Sequence, residues 1–339
     1  MTKPATGVES EAQAQREPSG LLGQGEDGLF HQSWYPICLS SEVERGAVIG
    51  RDFLDGKVVV FRGEDGVVSV TSAFCPHLGA NLACGTVVGN SVQCAFHRWE
   101  FDRDGACVRT GVGDPAPRVA KLFAFPTCER YGIVWAFNGT EALWALPGFD
   151  RPDSELVFHT YSMQPYTCDG WTISCNTPDM QHIKVVHGFN FHGADPHDLV
   201  EWQQWSHSYP LKASFGEGTE VDWRIGIHGT SIYLQQGMVG DWWLGIIVGM
   251  SSPRPGHSMP FGCVAVEKGD GSAARNRLNQ ERALWAEAYG QRIAAEDAGI
   301  LNTIRFRPGA LTRADRTLAQ FFRFLRNYPR AHPSASFIR

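Results

Sequence analysis

Residues 75–97 read CPHLGANLACGTVVGNSVQCAFH. Cys75 and His77 are one residue apart, sixteen residues follow, and Cys94 and His97 are two apart. Two short loops, each offering one Cys and one His, can grip a metal centre from two sides. Two Cys and two His suit a structural zinc. They also suit a [2Fe–2S] centre whose irons are held by two Cys and by two His respectively. The single residue between Cys75 and His77 is tighter than a usual zinc knuckle, and Gly79 and Gly85 let backbone amides approach cluster sulfurs. Both features favour iron–sulfur.

A second pattern lies about 80 residues on. Residues 176–187 read NTPDMQHIKVVH. On a helix, Asn176, Asp179 and His182 fall three apart and share a face. His182 and His187 are five apart, about 140° around a regular helix, so they converge only where the helix distorts or breaks. Two His with one carboxylate and open positions form the facial triad of non-haem Fe(II) sites. Spacing alone is weak support, because His192 and His197 repeat it in a Gly/Asp/Pro loop.

The elements around these residues fall into two classes. From about Phe30 to Pro147 the chain is short β runs broken by Gly and Asp. Lys57 to Arg62, Val67 to Thr71, Ser91 to Cys94 and Ile133 to Phe137 read as strands. Glu64-Asp65-Gly66 and Asp102-Arg103-Asp104-Gly105 are hairpin turns. This predicts a small antiparallel β domain over residues 29–148, closed by Pro147-Gly148. The remainder, 149–339, reads as an α+β domain, an antiparallel sheet with flanking helices. Thr177-Pro178 is expected to open a helix, with Thr as N-cap. Strand-like runs cover about 200–267, a helical pattern covers 276–306, and Thr312 to Asp315 cap a last helix that Pro329 stops. Residues 1–28 are polar and predict a disordered tail.

Composition bounds the function. The 36 acidic against 30 basic residues give a net charge of −6 and no basic footprint for nucleic acid. No apolar run approaches a membrane span, and the N-terminus carries no signal pattern. The expectation is a soluble cytoplasmic protein that binds neither nucleic acid nor membrane. Nine Cys in a reducing compartment read as metal ligands or core residues. No G-x-G-x-x-G follows a strand and there is no P-loop, so no nicotinamide or flavin site is evident.

CPHLGANLACG followed by CAFHRWEFDRDGACV resembles the Rieske signature of ring-hydroxylating and related oxygenases, and the four-residue pattern at 176–187 resembles their mononuclear-iron motif. The resemblance covers about residues 30–327. It implies that Cys75 and Cys94 hold one iron of a [2Fe–2S] cluster and His77 and His97 the other. It implies Fe(II) bound by His182, His187 and Asp297, the last from AAEDAGIL at 294–301, which resembles the A-E-D segment of monooxygenases and demethylases. Glu296 is the rival carboxylate; Asp222 and Asp241 are outside candidates. Asp179 would contact His182 in its own chain and His97 of a neighbour, and Asn176 would sit near the iron without binding it. Arg98 departs from the pattern, since most relatives have Gly there. Cys84 and Cys107 read as packing residues.

The reading that follows is a homotrimeric terminal oxygenase. Dioxygen is the co-substrate, and NAD(P)H electrons arrive through a separate reductase, with or without a ferredoxin. The substrate is a hydrophobic cyclic or aromatic small molecule, most simply monohydroxylated. Demethylation, sterol-type desaturation and dioxygenation are alternatives within the family, and a Rieske electron carrier is the alternative outside it. Trp202, Trp205, Trp223, Met238, Trp242 and Trp243 lie on the strands expected to wall the pocket.

Overall fold

The computed structural model describes residues 20–305 and 309–339. Two of the short-strand groups build the first part of the chain as antiparallel sheets. Val48–Phe53, Gly56–Arg62, Val68–Ser72 and Ala124–Phe125 form one four-stranded sheet. Trp34–Leu39, Ile133–Phe137 and Thr127–Arg130 form a three-stranded one, with Ile133–Phe137 in the middle. Both predicted hairpin turns are present: Gly66 (φ +88°) links two strands of the first sheet, and Gly105 (φ +80°) lies between Glu100–Phe101 and Cys107–Arg109.

The two Cys/His loops grow from a third small sheet, the meander of Thr86–Val88, Ser91–Gln93, Glu100–Phe101 and Cys107–Arg109. Its inner residues Val92 and Phe101 pack with Val59, Phe61, Leu82 and Leu122 in one cluster that also contains Cys75 and Cys94. The same apolar burial that stabilises this domain therefore seats both thiols.

The second part is an eight-stranded antiparallel sheet in the order Leu156–Ser162, His257–Glu267, Trp242–Arg254, Ile232–Val239, Thr219–His228, Ser206–Phe215, Asn190–Phe191, with Glu201–Trp202 pairing Ser206–Phe215 from the side. Among the described residues the chain has five α-helices: α1 (Gly170–Ser174), α2 (Met180–Val185), α3 (Ala273–Leu301), α4 (Arg316–Arg326) and α5 (Ala335–Ile338). Helix α3 starts from a Ser272 N-cap, whose side chain accepts from the Arg275 amide. It covers 276–301 of the predicted 276–306; the helix stops at Leu301 with Asn302 as its C-cap, so 302–305 are not helical, and residue 306 lies outside the described residues. The predicted cap at Thr312 and Asp315 forms, with each side chain accepting from the other's amide.

The helix expected to be capped by Thr177 begins two residues later. Asp179 is the N-cap of α2, its Oδ1 accepting from the His182 amide at 2.9 Å. Thr177 instead lies in the preceding turn, where its carbonyl accepts from the Tyr209 hydroxyl at 2.6 Å. A carboxylate at the cap and a tertiary bond to the Thr177 backbone outweigh the local Thr-Pro signal.

The chain ends cross between the parts. Residues 1–19 of the predicted tail lie outside the described residues, but 20–28 are held in place. Gln24 is buried, its amide donates to Asp169 Oδ2 at 2.8 Å, and its side chain meets His31 Nδ1. Phe30–His31 pairs with Arg330–Ala331. Ile338 of α5 is fully buried with Phe53, Val58 and Val60 of the first part. Among the described residues no helix is long and apolar enough to cross a membrane.

Candidate metal centres

The two metal loops are built alike. Cys75 N–H donates to Ala80 O and Gly79 N–H to Cys75 O; Cys94 N–H donates to Trp99 O and Arg98 N–H to Cys94 O. The fourth residue after each Cys is left-handed, Gly79 at φ +77° and Arg98 at φ +57°. Arg98 thus occupies a conformation that favours glycine. Its Nη1 donates to Gln93 Oε1 at 3.1 Å.

The donors fit a two-iron cluster. Cys75 and Cys94 are almost wholly buried, while His77 is exposed and His97 half-buried. The rings of His77 and His97 lie 4.6 Å apart, and Trp99 stacks on His77 at 4.4 Å. Burial pushes the Cys75 thiol up to about 11, with the nearby Cys94 adding to it. Such a thiol becomes a thiolate when a metal centre takes its charge. Of the two cysteines expected to pack nearby, Cys107 packs against this core, but Cys84 is exposed at the end of a short turn.

The second centre forms where α2 ends. After Val185 the chain turns through Gly188 (φ +69°), so His187 lies beyond the helix and its ring swings back toward His182. The two Nε2 atoms are 3.0 Å apart. From α3, Asp297 Oδ1 lies 3.3 Å from His182 Nε2 and 3.5 Å from His187 Nε2. Among the described residues these three are the ones whose ligand atoms converge within 4.8 Å. Asp297 Oδ1 is buried without a hydrogen-bond partner, and its Oδ2 accepts from Asn176 Nδ2 at 2.9 Å. Burial alone would raise the Asp297 carboxyl, but the His182 and His187 imidazoles outweigh it and hold it below the usual carboxylate range. A buried carboxylate oxygen converging on two imidazole nitrogens, with nothing else to serve it, fits a divalent iron.

Glu296 takes a different place from Asp297. Its Oε2 lies 2.8 Å from His187 Nδ1, the far side of the ring from the metal donors. Asp222 pairs with Lys212 on the surface and Asp241 is exposed in a turn. His192 and His197 do not converge: one meets Ser214, the other Thr317. Asp179 reaches the backbone of His182 rather than its ring.

Beside the triad lies a cavity of about 180 Å³ lined mainly by carbon, with Tyr161, Trp223, Tyr233, Gln235, Ile246 and Tyr289 among its walls. Of the six residues expected there, only Trp223 lines it. Side chains alternate along a strand, so parity decides the face. Met238 and Trp243 point to the opposite face and pack with Trp135 and Phe149. Trp242 has the right face but lies at the strand end, edge-on to Trp285. Trp202 packs on His207 and Phe324, and Trp205 on Tyr328. Gln235 was the missed signal: a polar residue on the parity of Tyr233 and Val239, which pack inward.

Residues 33–123 match the family model described as Rieske [2Fe-2S] domain. The chain is 32% identical over 183 residues to cholesterol 7-desaturase nvd of Bombyx mori, covering 52% of this chain and 39% of that protein. It is 30% identical over 227 residues to aminopyrrolnitrin oxygenase PrnD of Pseudomonas fluorescens, covering 62% and 61%. The matches thus span about two fifths to three fifths of these relatives' lengths. The fold is similar to that of dicamba monooxygenase bound to dicamba, with a TM-score of 0.66 at 21% identity over 88% of this chain and 98% of that one.

Proposed function

We propose that this chain, a Rieske protein with the two-part fold of the non-haem iron oxygenases, is a terminal oxygenase that oxidises a hydrophobic cyclic small molecule. The observation that carries the proposal is the convergence of His182, His187 and Asp297 on one point at the cavity wall. An electron carrier would have no use for that triad. Bound at these sites, the cluster supplies one-electron transfer and the iron supplies dioxygen activation.

The chain's own residues do the positioning. Cys75 and Cys94 hold the buried side of the cluster, and His77 and His97 the surface side. Asn176 orients Asp297 through Oδ2, and Glu296 fixes the His187 ring through Nδ1. The apolar walls exclude water from the reacting centre. Monohydroxylation is the simplest outcome. Desaturation is the second reading, supported by the identity with a cholesterol desaturase.

A separate reductase, with or without a ferredoxin, delivers the electrons. The working assembly is a homotrimer in which the cluster of one subunit serves the iron of the next. Support comes from apolar side chains exposed at both centres, Leu78 and Phe96 at the cluster and Val185 on α2. Nine unpaired cysteines support a reducing, cytoplasmic setting.

The test is a metal and sulfide count with a dioxygen-uptake assay. Three irons and two acid-labile sulfides per chain, with uptake dependent on a reductase, are expected. Two irons would indicate a carrier, and colourless protein with stoichiometric zinc would overturn the proposal.

A further inference from the structure

The cavity wall is mostly carbon, yet three hydrogen-bonding atoms buried in its lining have no protein partner: Gln235 Nε2, Trp223 Nε1 and Tyr161 Oη. Gln235 and Trp223 are each only 3% exposed. Trp223 pairs with Gly237, so Gln235 is its diagonal neighbour on the adjacent strand, and both face the cavity. Buried polar groups are rarely left unpaired, because the lost hydrogen bond to water is not recovered.

The sense of the Gln235 amide follows from its neighbour. The Tyr233 hydroxyl lies 2.6 Å from Gln235 Oε1. That hydroxyl is deeply buried, and burial raises its pKa well above the usual value, so it keeps a proton that needs an acceptor; an amide turned the other way would leave both that proton and the amide oxygen unpaired. The amide oxygen accepts that proton, which leaves the NH₂ as a free donor. The Trp223 indole N–H can only donate. The unpaired groups therefore ask for an acceptor. No lysine or arginine lines the cavity among the described residues, so away from the triad a carboxylate has no counter-charge.

We propose that this cavity takes a neutral, largely apolar molecule of one or two rings whose carbonyl-type oxygen accepts from the Gln235 side-chain amide. The size follows from the volume: about 150 Å³ of apolar cavity accepts benzene, and this one is about 180 Å³. The inference rests on the proposed function only in taking this ligand to be the substrate.

The probes are 1-tetralone and tetralin, a ketone and a hydrocarbon of nearly the same shape. Binding is measured by calorimetry on the metal-loaded protein under nitrogen, so no turnover is involved. Wild type should bind the ketone about tenfold more tightly. Gln235→Met removes the donor but strands the Tyr233 hydroxyl; Tyr233→Phe with Gln235→Met removes both polar partners and protects the fold. The double variant should bind the two probes equally. Equal affinities in wild type, binding of neither probe, or a ketone preference that survives the double variant would overturn the proposal. The iron count and dioxygen uptake are read separately. A ketone preference without iron would sink the oxygenase reading and leave the binding inference standing.

Discussion

Glu296 and Asp297 are adjacent on α3 yet serve opposite sides of one imidazole: Asp297 Oδ1 faces His187 Nε2 at 3.5 Å, and Glu296 Oε2 faces His187 Nδ1 at 2.8 Å. In the proposed site one helix would thus provide both a metal ligand and the group that aims another ligand. The break after α2 is what frees the His187 ring to be held between them.

This separates two substitutions. Asp297→Ala removes a donor and should abolish mononuclear iron while the cluster spectrum stays intact. Glu296→Ala leaves all three donors and should weaken iron binding by about 10- to 100-fold. Metal titration followed by visible spectroscopy reads both. Iron lost in the Glu296 variant and kept in the Asp297 variant would reverse the assignment.

Arg98 holds a left-handed backbone angle in the cluster loop. Arg98→Gly should raise stability by up to about 1 kcal/mol, because the strain of a side chain there outweighs the extra freedom of glycine in the unfolded chain. Removing the cation should also move the cluster potential to a more negative value. Urea denaturation and a redox titration check the two effects; a destabilised variant would show that the bond to Gln93 matters more than the strain.

His207 is buried against Trp202 and Phe321 with neither ring nitrogen partnered. Burial pushes its pKa down to about 3, with a lesser push from His228, itself held near 4 by burial. The folded value lies below the unfolded one of roughly 6.5. The unfolded chain therefore binds more protons below that pH, and stability falls as pH drops from about 6.5 toward 4. His207→Phe fits the aromatic surroundings and removes the titration. Its melting temperature should exceed wild type at pH 7.5, and the margin should widen at pH 5.5. A margin that stays constant would count against the linkage.

The inter-subunit route makes two dead variants complementary. Cys75→Ser lacks the cluster and His182→Ala lacks the iron. In a cyclic trimer each interface is directional, so a mixed trimer of either composition joins one intact cluster to one intact iron. Purified mixed trimers should recover roughly a third of wild-type turnover; a route within one chain predicts none.

Asp179→Asn probes the same route. Asparagine is as good a helix cap as aspartate, so α2 and both metal sites should persist. Turnover with reductase should fall steeply, since the charge that would link the imidazoles of two subunits is gone. Normal turnover would remove Asp179 from the path.

The residues closest in sequence were those the sequence defined best. Cys75, His77, Cys94 and His97 sit on two loops whose spacing is itself the geometry, and the Gly66 and Gly105 turns are local in the same sense. His182 and His187 were readable as a pair, and so was the need for the helix to break between them. Asp297 was legible only through resemblance, because 110 residues separate it from His187 and no periodicity spans that gap. The cavity was decided by tertiary structure. Whether a strand residue faces the iron or the opposite core depends on register, and register depends on partners far along the chain. That is why Met238 and Trp243 point away and Gln235 points in. The chain ends show the same limit: residues 20–28 are polar enough to read as a tail, yet Asp169, 145 positions from Gln24, holds them. Local composition states what a segment can bury by itself; a distant carboxylate and a docked strand supply what it cannot.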